Sequence, residues 1–533
     1  MDSDDQLRLI RDARGDRALL ALATVDLTFP GLPAADRAAL RSALAAAAVP
    51  HWCDAAVLTA LTGSDDRGSG WWARLQKVPV VEPFPARGAD AGNVHEASRL
   101  AVRKHLAEKQ RDRFVELSSR AARLFEADDR PSGRIEWVYH LMVADPERGT
   151  DEVEALGRSL WLTARHEDLA ALTAAMAELD VSEVLSGRAS VQARLIVAQR
   201  RAYLAGATSI GELGDELLRA AEATGDARLT GDAYSLVGDV ARARGDLPAA
   251  EWAHRQDLAI SQRLADLNPT DASRQQDLGQ VHLMVGDVAK ARGNLTAAEQ
   301  AYARCRDIAQ RLADGDPANL ASQHDLAVAH SRLGDVADAR NDLAAAEQAY
   351  TRYRAIFHRL SELDPANTNW QRELAVAYTQ VGDVASARGD LAAADEAYRQ
   401  DLAISQRLAD LDPTNTGWQR DLAITLGRLG GVALKRGDLP AAAQAYGQFQ
   451  AITQRLATRD PTNTDWQWDL AIATYRLGTV AREQGDQAAA EQAFRRYQAM
   501  IHGLVELDAS NTAWQRELTF ADSLVADITG DTG

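Results

Sequence analysis

Residues 381–390 read Val-Gly-Asp-Val-Ala-Ser-Ala-Arg-Gly-Asp, and versions of this stretch recur along the second half of the chain. The interval between successive copies is 48 residues each time. Every copy also has a Gly or Asn seven residues after its first Gly, followed by Asp or Asn. A constant interval of this length indicates a tandem array of structural units. The copies begin at residues 237, 285, 333, 381, 429 and 477.

Each copy contains residues that end one helix and begin the next. Gly389 suits the left-handed conformation that follows a helix, and Asp390 can cap the next helix by accepting a backbone N–H. The Asp-Pro pair at 364–365 ends a second helix, because proline restricts its predecessor and cannot donate a hydrogen bond. Residues 368–371, Thr-Asn-Trp-Gln, then match the capping box. The sequence therefore predicts a unit of helix A, a tight turn and helix B.

The apolar residues of each unit recur at helical spacing. In the unit that contains the quoted stretch, helix A is predicted over residues 369–388 and helix B over residues 391–411. A small Ala in helix B, followed four residues later by an aromatic ring, predicts close packing between the two helices. A single pair of helices leaves an apolar face uncovered, so neighbouring units must stack. The aromatic positions are Tyr302, Tyr350, Tyr398, Tyr446 and Phe494.

The order Leu-Gly, a second Gly, Ala and an aromatic ring at these spacings resembles the tetratricopeptide repeat. The resemblance covers about residues 228–529 and implies an all-α fold with a right-handed α-solenoid of 48-residue repeats. The units depart from the family in length, since the usual unit has about 34 residues. They also have Ala at position 385, where the family usually has an aromatic residue. The array ends in a helix from Trp514 to Ile528 without a partner helix, which is typical of a terminal cap.

The first 106 residues have a different pattern. Helices are predicted over residues 34–48, 54–61 and 72–77, followed by an apolar stretch over residues 78–84 and a turn. This order resembles the winged-helix domain of bacterial signal-transduction ATPases, in which it precedes a repeat array. The phosphate-binding motif GxxxxGK[ST] does not occur in the chain. The predicted domains are residues 1–106 with the winged-helix-like part, residues 107–227 as a connector of degenerate helical pairs, and residues 228–533 as the solenoid with its capping helix.

An acidic residue recurs directly after the first Gly of helix A. In the tetratricopeptide family helix A lines the concave face, so the resemblance implies an acidic ladder in a groove that suits a basic partner. The alternative is that each Asp bonds inside the stack, to an Arg before the turn such as Arg340 or Arg388. The position three residues after the Asp varies between copies, as expected of a partner-facing site. The candidate groove residues are Asp239, Asp287, Asp335, Asp383, Arg242, Lys290, Asp338, Ser386 and Arg482.

A tryptophan recurs near the start of helix A in the later units. Packing between units is the favoured interpretation, and an exposed row of rings that docks a peptide is the alternative. The residues are Trp370, Trp418, Trp466 and Trp514.

Motifs for catalysis, cofactors or metals do not occur: GxSxG, HExxH and the EF-hand loop are all missing from the sequence. His51, Cys53 and His95 are expected to be ordinary packed residues, not a metal site or a Cys-His pair. We therefore expect no catalytic residues, no cofactor and no metal. The net charge of -18 disfavours nucleic acid and anionic membranes as partners. Without a run of about 18 apolar residues, the expected location is the cytoplasm.

These features predict a non-enzymatic scaffold or sensor whose repeat groove binds a protein or peptide. Resemblance to bacterial conflict proteins implies a regulatory role in a signalling or antiviral defence system, with a caspase-like or CHAT protease as partner or substrate. The alternative is a transcriptional regulator whose winged-helix-like domain contacts DNA. The candidate DNA contacts are Arg74, Lys77, Arg87, Arg99, Arg103 and Lys104.

Overall fold

The computed structural model describes residues 16–63, 68–163 and 165–529. Most described residues are α-helical, and consecutive helices of the array pack as pairs. This arrangement confirms the predicted all-α fold of tetratricopeptide-like repeats. Contacts divide the chain into two compact units, Met1–Asn294 (unit 1) and Leu295–Gly533 (unit 2). The division into three domains at residues 106 and 227 stays a prediction.

Before the array, unit 1 consists of helices and one small hairpin. Strands β1 (Val81–Pro83) and β2 (Gly92–Val94) pair antiparallel, as the predicted apolar stretch and turn suggested. The three helices that the sequence predicted precede this hairpin in the expected order, after one further helix at Arg17–Thr28. The winged-helix assignment itself stays a prediction. The helices are α1 (Arg17–Thr28), α2 (Ala34–Ala47), α3 (Ala55–Thr62), α4 (Gly68–Leu75), α5 (Glu96–Lys109), α6 (Arg111–Phe125), α7 (Pro131–Ala144), α8 (Pro146–Leu162), α9 (His166–Val181), α10 (Gly187–Ala205) and α11 (Gly211–Thr224).

The array follows the 48-residue period. In repeat 4, helix A spans Thr368–Ala387 and helix B spans Leu391–Leu411, each end within one residue of the prediction. None of the described helices combines the length and apolar content that a bilayer crossing requires. The helices are α12 (Ala227–Ala243) and α13 (Leu247–Leu267) in repeat 1, α14 (Ala272–Ala291) and α15 (Leu295–Gly315) in repeat 2, α16 (Leu320–Ala339) and α17 (Leu343–Leu363) in repeat 3, α18 (Thr368–Ala387) and α19 (Leu391–Leu411) in repeat 4, α20 (Thr416–Lys435) and α21 (Leu439–Arg459) in repeat 5, α22 (Thr464–Glu483) and α23 (Gln487–Leu507) in repeat 6, and the terminal α24 (Thr512–Thr529).

The turn between helix A and helix B has the predicted left-handed residue. Gly389 has φ 82°, and Asn341 takes the same place in repeat 3 with φ 59°. Asn is among the few side chains that tolerate this conformation. Asp390 then accepts a hydrogen bond from the Ala393 N–H at 3.0 Å, which caps helix B as expected.

The start of helix A differs from the prediction by one residue. Asn367 is the N-cap in place of Thr368, because its side chain accepts a hydrogen bond from the Trp370 N–H at 3.2 Å. The Gln of the motif does not return to the cap. Gln419 of repeat 5 instead donates to the Ala409 carbonyl on the preceding helix B at 3.2 Å. The capping-box prediction is therefore wrong, since adjacent Asn and Thr are both good caps and only the packing decides between them.

In repeats 3 to 6 the first Gly of the copy lies against the aromatic ring of helix B. A Cβ atom on Gly382 would come within 2.5 Å of the Tyr398 ring, and one on Gly478 within 2.7 Å of the Phe494 ring. The predicted small residue of helix B, Ala394 in repeat 4, is fully buried as well. Small residues on both helices thus make room for the ring.

A second pair of facing positions changes in a matched way from repeat to repeat. In repeat 4, Thr379 of helix A donates a hydrogen bond to the buried Asp401 of helix B. At the same two positions in repeat 5, a Cβ on Gly427 would lie 3.2 Å from the Phe449 ring. A hydroxyl therefore faces a carboxylate in one repeat, and a glycine faces a large ring in the next.

Candidate functional site

The A helices of unit 2 exchange polar contacts from one repeat to the next. Arg372 pairs with Asp421 of the following repeat, with 2.6 Å between Nε and Oδ2. Near the other end of the same two helices, Lys435 donates to the Ser386 hydroxyl at 2.9 Å. Contacts near both ends hold these helices side by side. We call the surface that they form in unit 2 the A face; its helices are α16, α18, α20 and α22.

Asp383 on the A face accepts hydrogen bonds from two helices. The Tyr398 hydroxyl, on helix B of the same repeat, donates at 2.6 Å. Arg428, on helix A of the next repeat, donates from Nε at 2.8 Å and from Nη2 at 3.0 Å. The Asp383 side chain remains 45% exposed, so it lies at the surface. The carboxylate thus joins three helices while staying accessible from the A face.

Asp335 repeats this arrangement one unit earlier. It accepts from the Tyr350 hydroxyl at 3.0 Å and from Gln380 of the next repeat at 3.4 Å. The recurring Asp therefore bonds inside the stack, as the structural alternative proposed. Because the Asp carboxylates also face solvent in part, their role in partner binding stays a prediction.

The Arg before each turn has a partner other than the one expected. Arg340 pairs with Glu299 on the preceding helix B at 2.7 Å, and Arg388 pairs with Glu347 in the same way. Asp383 and Arg388 are five residues apart, which places them about 140° apart around the helix. The Asp faces the next helix A, whereas the Arg faces the preceding helix B. The expectation that these arginines bind the recurring Asp is therefore wrong.

In unit 1, the same position has different neighbours. Asp239 lies 3.3 Å from Arg242 and 3.9 Å from the His254 ring, which takes the place of the repeated tyrosine. His254 is fully buried, and burial lowers its pKa. Within the described ranges, neither of its ring nitrogens has a hydrogen-bond partner. Asp287 adds a second negative charge near this ring.

Helix α8 of the connector contacts the A helices of unit 1. Arg158 pairs with Asp277 of α14 at 2.6 Å, and Glu154 pairs with Arg228 of α12. The chain itself therefore covers part of these two A helices.

The variable position three residues after the recurring Asp differs in exposure. Arg242, Asp338 and Arg482 are exposed, whereas Lys290 and Ser386 are half-buried. The Arg482 guanidinium lies 5.6 Å from the centroid of the Phe494 ring. Of the predicted site residues of unit 2, Asp335, Asp338, Asp383 and Ser386 lie on the adjoining helices α16 and α18, and Arg482 lies on α22.

The repeated tryptophans pack in the stack. Trp370 is buried with Tyr353 and Phe357 of the preceding helix B, and Trp466 packs against the core formed by repeat 5. Trp418, Trp466 and Trp514 are half-buried. This supports the packing interpretation.

A buried polar cluster in unit 1 did not emerge from the sequence. Arg103 is 1% exposed; its Nε donates to the Ala48 carbonyl at 3.0 Å, and its Nη1 donates to Glu178 and Tyr139. Arg99 adds an ion pair to Glu178 at 2.6 Å. These groups come from α5, α7, α9 and the end of α2. The spacing of Arg99 and Arg103 by one helical turn was the available signal, but their acidic partner lies more than seventy residues later in the chain.

Two histidines extend this cluster through Glu136. His51 Nδ1 lies 2.9 Å from one carboxylate oxygen, and His140 Nε2 lies 3.4 Å from the other. Burial lowers the pKa of His140 to about 4 and raises that of the Cys53 thiol well above its ordinary value. A protonated thiol lacks the thiolate that a Cys-His nucleophile requires. Among the described residues, no group of three His, Cys, Asp or Glu side chains is arranged to hold a metal ion.

The cations proposed for DNA contact do not share one open surface. Arg99 and Arg103 are buried in the polar cluster. Arg87 lies 5.0 Å from the centroid of the Trp52 ring, with a side chain only 10% exposed. The exposed members are Arg74, Lys77 and Lys104.

No protein-family model and no curated protein matches the sequence. Among solved structures, a signal-transduction ATPase with numerous domains and a tetratricopeptide repeat sensor, from Pyrococcus horikoshii, matches with a TM-score of 0.58 and 12% identity, over 96% of this chain and 72% of that chain. A Rap protein complexed with Competence and Sporulation Factor matches with a TM-score of 0.41 and 13% identity, over 71% and 98% of the two chains. BtubC from P. vanneervenii matches with a TM-score of 0.39 and 20% identity, over 48% and 92%.

At these identities the likeness concerns the fold alone, and only the first structure has a TM-score high enough to compare folds. That structure carries a repeat sensor by its own description. Together with the paired helices, the 48-residue period and the caps observed here, it identifies the chain as a helical repeat protein of the tetratricopeptide-like fold.

Proposed function

We propose that the chain is a non-enzymatic interaction protein whose A face binds a protein or peptide partner. The observation that carries the proposal is the continuity of the A face. Contacts such as Arg372 with Asp421 and Lys435 with Ser386 hold neighbouring A helices side by side, so positions 48 residues apart line up. Stacked repeats of this kind present extended surfaces to their partners.

The side chains on that face support the same proposal. The position three residues after the recurring Asp changes from acidic Asp338 to polar Ser386, apolar Leu434 and basic Arg482, while the packed Gly and Val around the recurring Asp stay constant. A constant backbone with changing side chains gives each repeat its own contact for a partner. Asp338 and Asp383 favour a basic segment of the partner over repeats 3 and 4.

The finer part of the proposal is a regulatory role as a sensor in a bacterial signalling or defence system. Its support is analogy with the Pyrococcus horikoshii ATPase, whose description assigns a repeat sensor to that protein. A caspase-like or CHAT protease as the partner stays a prediction on the same analogy. Recovery of such a protease in the experiment that follows would support it.

Site-specific photo-crosslinking in the producing cell tests the proposal. The photoreactive residue benzoylphenylalanine is placed at Asp338 or Ser386 on the A face, and at the exposed Arg399 of helix B as the matched control. We expect the same crosslinked protein from both A-face positions and none from Arg399. Equal crosslinking from all three positions, or none from any of them, would contradict the proposal.

A further inference from the structure

One repeat of the A face keeps the partners of the recurring carboxylate but lacks the carboxylate. Repeat 5 has Gly431 at the position that Asp383 occupies in repeat 4. The tyrosine of helix B is retained as Tyr446, and the arginine of the next helix A is retained as Arg476. Both donors of the repeat 4 arrangement are therefore present without their acceptor.

The Tyr446 hydroxyl is an unsatisfied buried group. Tyr446 is 1% exposed, and its hydroxyl has no hydrogen-bond partner among the residues that the structure describes. A Cβ on Gly431 would lie 3.5 Å from this hydroxyl. Buried polar groups are nearly always hydrogen-bonded, and leaving one unpaired is costly. Repeat 4 places a carboxylate beside the equivalent hydroxyl, where repeat 5 has only the hydrogen of a glycine.

Arg476 is the second retained donor. Its side chain is exposed and lies over the Tyr475 ring, 5.5 Å from the centroid. Within the described part of the chain, it forms no hydrogen bond and no ion pair. The equivalent Arg428 donates twice to Asp383. An arginine at this position is thus placed to bind a carboxylate of the preceding repeat.

In repeat 4 the place of this carboxylate lies at the surface of the A face. Asp383 shows where the carboxylate sits in the intact arrangement, and its side chain is 45% exposed. The neighbouring repeats also change the local charge. Repeat 6 has Thr479 in place of the recurring Asp and the exposed Arg482 three residues later. At these positions the A face therefore carries acidic side chains in repeats 3 and 4 (Asp335, Asp338 and Asp383) and basic ones in repeat 6 (Arg476 and Arg482).

We propose that the space beside Gly431 receives the side-chain carboxylate of an Asp or Glu from the protein partner. The Tyr446 hydroxyl and the Arg476 guanidinium donate to this carboxylate, as Tyr398 and Arg428 donate to Asp383. The proposal rests on the proposed function, because it names the chemistry that part of the same A face recognises. The partner therefore carries an acidic residue opposite Gly431, next to its segment that contacts the acidic side chains of repeats 3 and 4.

The first test uses a small probe of the same chemistry. Protein labelled with ¹⁵N-arginine is titrated with N-acetyl-glutamate amide, with the N-acetyl-glutamine amide isostere and with inorganic phosphate, and the Arg476 Nε–H signal is followed. The assignment comes from Arg476→Gln. We expect the glutamate probe to shift this signal at concentrations about tenfold lower than the glutamine probe requires, since a hydrogen bond to a charged group is stronger than a neutral one.

Two substitutions of Gly431 test whether the glutamate probe binds beside this residue. Gly431→Asp supplies the missing carboxylate from the chain itself, so the glutamate-induced shift should disappear. Gly431→Ala adds a side chain without a carboxylate, and the shift should persist. An unchanged shift in Gly431→Asp, no shift in the native protein, or a stronger response to phosphate than to glutamate would each overturn the proposal.

The partner itself provides the second test. In the crosslinking experiment at Asp338, Gly431→Asp should lower the yield about tenfold relative to Gly431→Ala, because a charged hydrogen-bonded pair is lost. Equal yields from the two variants would overturn the carboxylate site and leave the A face as a binding surface. Loss of all crosslinks in the otherwise native protein would instead overturn the proposed function.

Discussion

Gly430 and Tyr446 touch so closely that a Cβ atom on the glycine would lie 2.7 Å from the tyrosine ring. The adjacent Gly431 faces only the hydroxyl of the same side chain, at 3.5 Å. Two neighbouring glycines of one helix therefore have opposite surroundings. One is required by packing, and the other is not.

Alanine at these two glycines should change stability in opposite directions. We expect Gly430→Ala to lower the free energy of unfolding by about 1–3 kcal/mol, because the added methyl group overpacks the contact with the ring. Gly431→Ala should raise it by up to about 1 kcal/mol, because Ala favours the helix over Gly. Urea unfolding midpoints check both values. Shifts of the same sign would show that the ring contact does not require the first glycine.

Removal of the tyrosine hydroxyl should have different effects in repeats 4 and 5. Tyr398→Phe loses a hydrogen bond to Asp383 and should cost about 1 kcal/mol of unfolding free energy. Tyr446→Phe removes a buried hydroxyl that has no partner in the described part of the chain, so stability should stay the same or rise. Thermal melting of the two variants measures the difference. A larger loss for Tyr446→Phe would mean that its hydroxyl is satisfied in solution.

The buried arginine of unit 1 should be far more sensitive than its exposed neighbour. Arg103→Met removes one hydrogen-bond donor from Glu178 and from each of two backbone carbonyls. We expect this loss to lower the free energy of unfolding by about 3 kcal/mol. Lys104→Met, on the exposed side of the same helix, should change stability by less than about 0.5 kcal/mol. Guanidinium unfolding of both variants provides the comparison, and equal effects would argue against a structural role for the cluster.

Stability of unit 1 should fall as the pH rises through the range where Asp257 titrates. The pKa of this carboxyl is raised to about 7, mainly by burial and also by the nearby Asp232 and Asp277, whereas hydrogen bonds from Ser235 and Ser261 oppose the shift. The folded state therefore holds a proton that the unfolded chain releases at lower pH. The resulting stability is fully present below about pH 4 and is lost as the pH approaches 7.

Asp257→Asn should remove this dependence. The variant keeps an acceptor for the two serines but has no titrating group. Its free energy of unfolding should therefore exceed that of the native protein by on the order of 2 kcal/mol at pH 7.5 and by little at pH 4.5. Urea unfolding at the two pH values measures the gain. A gain of the same size at both values would contradict the assignment of the titration to Asp257.

The array was predictable because its signals are local. The turn at Gly389 and the cap at Asp390 depend on the conformation of one or two residues, and the period repeats them six times. The partners of Asp383 were not predictable in this way, because Arg428 lies 45 residues further along the chain. The sequence shows Tyr446 in repeat 5 without an Asp at position 431. Only the hydrogen bond from Tyr398 to Asp383, observed in repeat 4, indicates that this tyrosine lacks its acceptor.

The polar cluster of unit 1 was beyond the reach of sequence patterns for a related reason. Arg99 and Arg103 looked like surface cations because basic residues are seldom buried. Their burial depends on Glu178, which approaches them only when several helices have packed. A single sequence carries no period or motif that connects these positions.

The matched residues inside each repeat limit how the array can gain or lose copies during evolution. Thr379 suits Asp401, and Gly427 suits Phe449. A genetic exchange in the turn between helix A and helix B would place Thr379 opposite Phe449, where repeat 5 has only a glycine. An exchange in the Asp-Pro loops between repeats would leave every pair intact. Insertions and deletions that survive selection should therefore comprise whole copies with both of their helices.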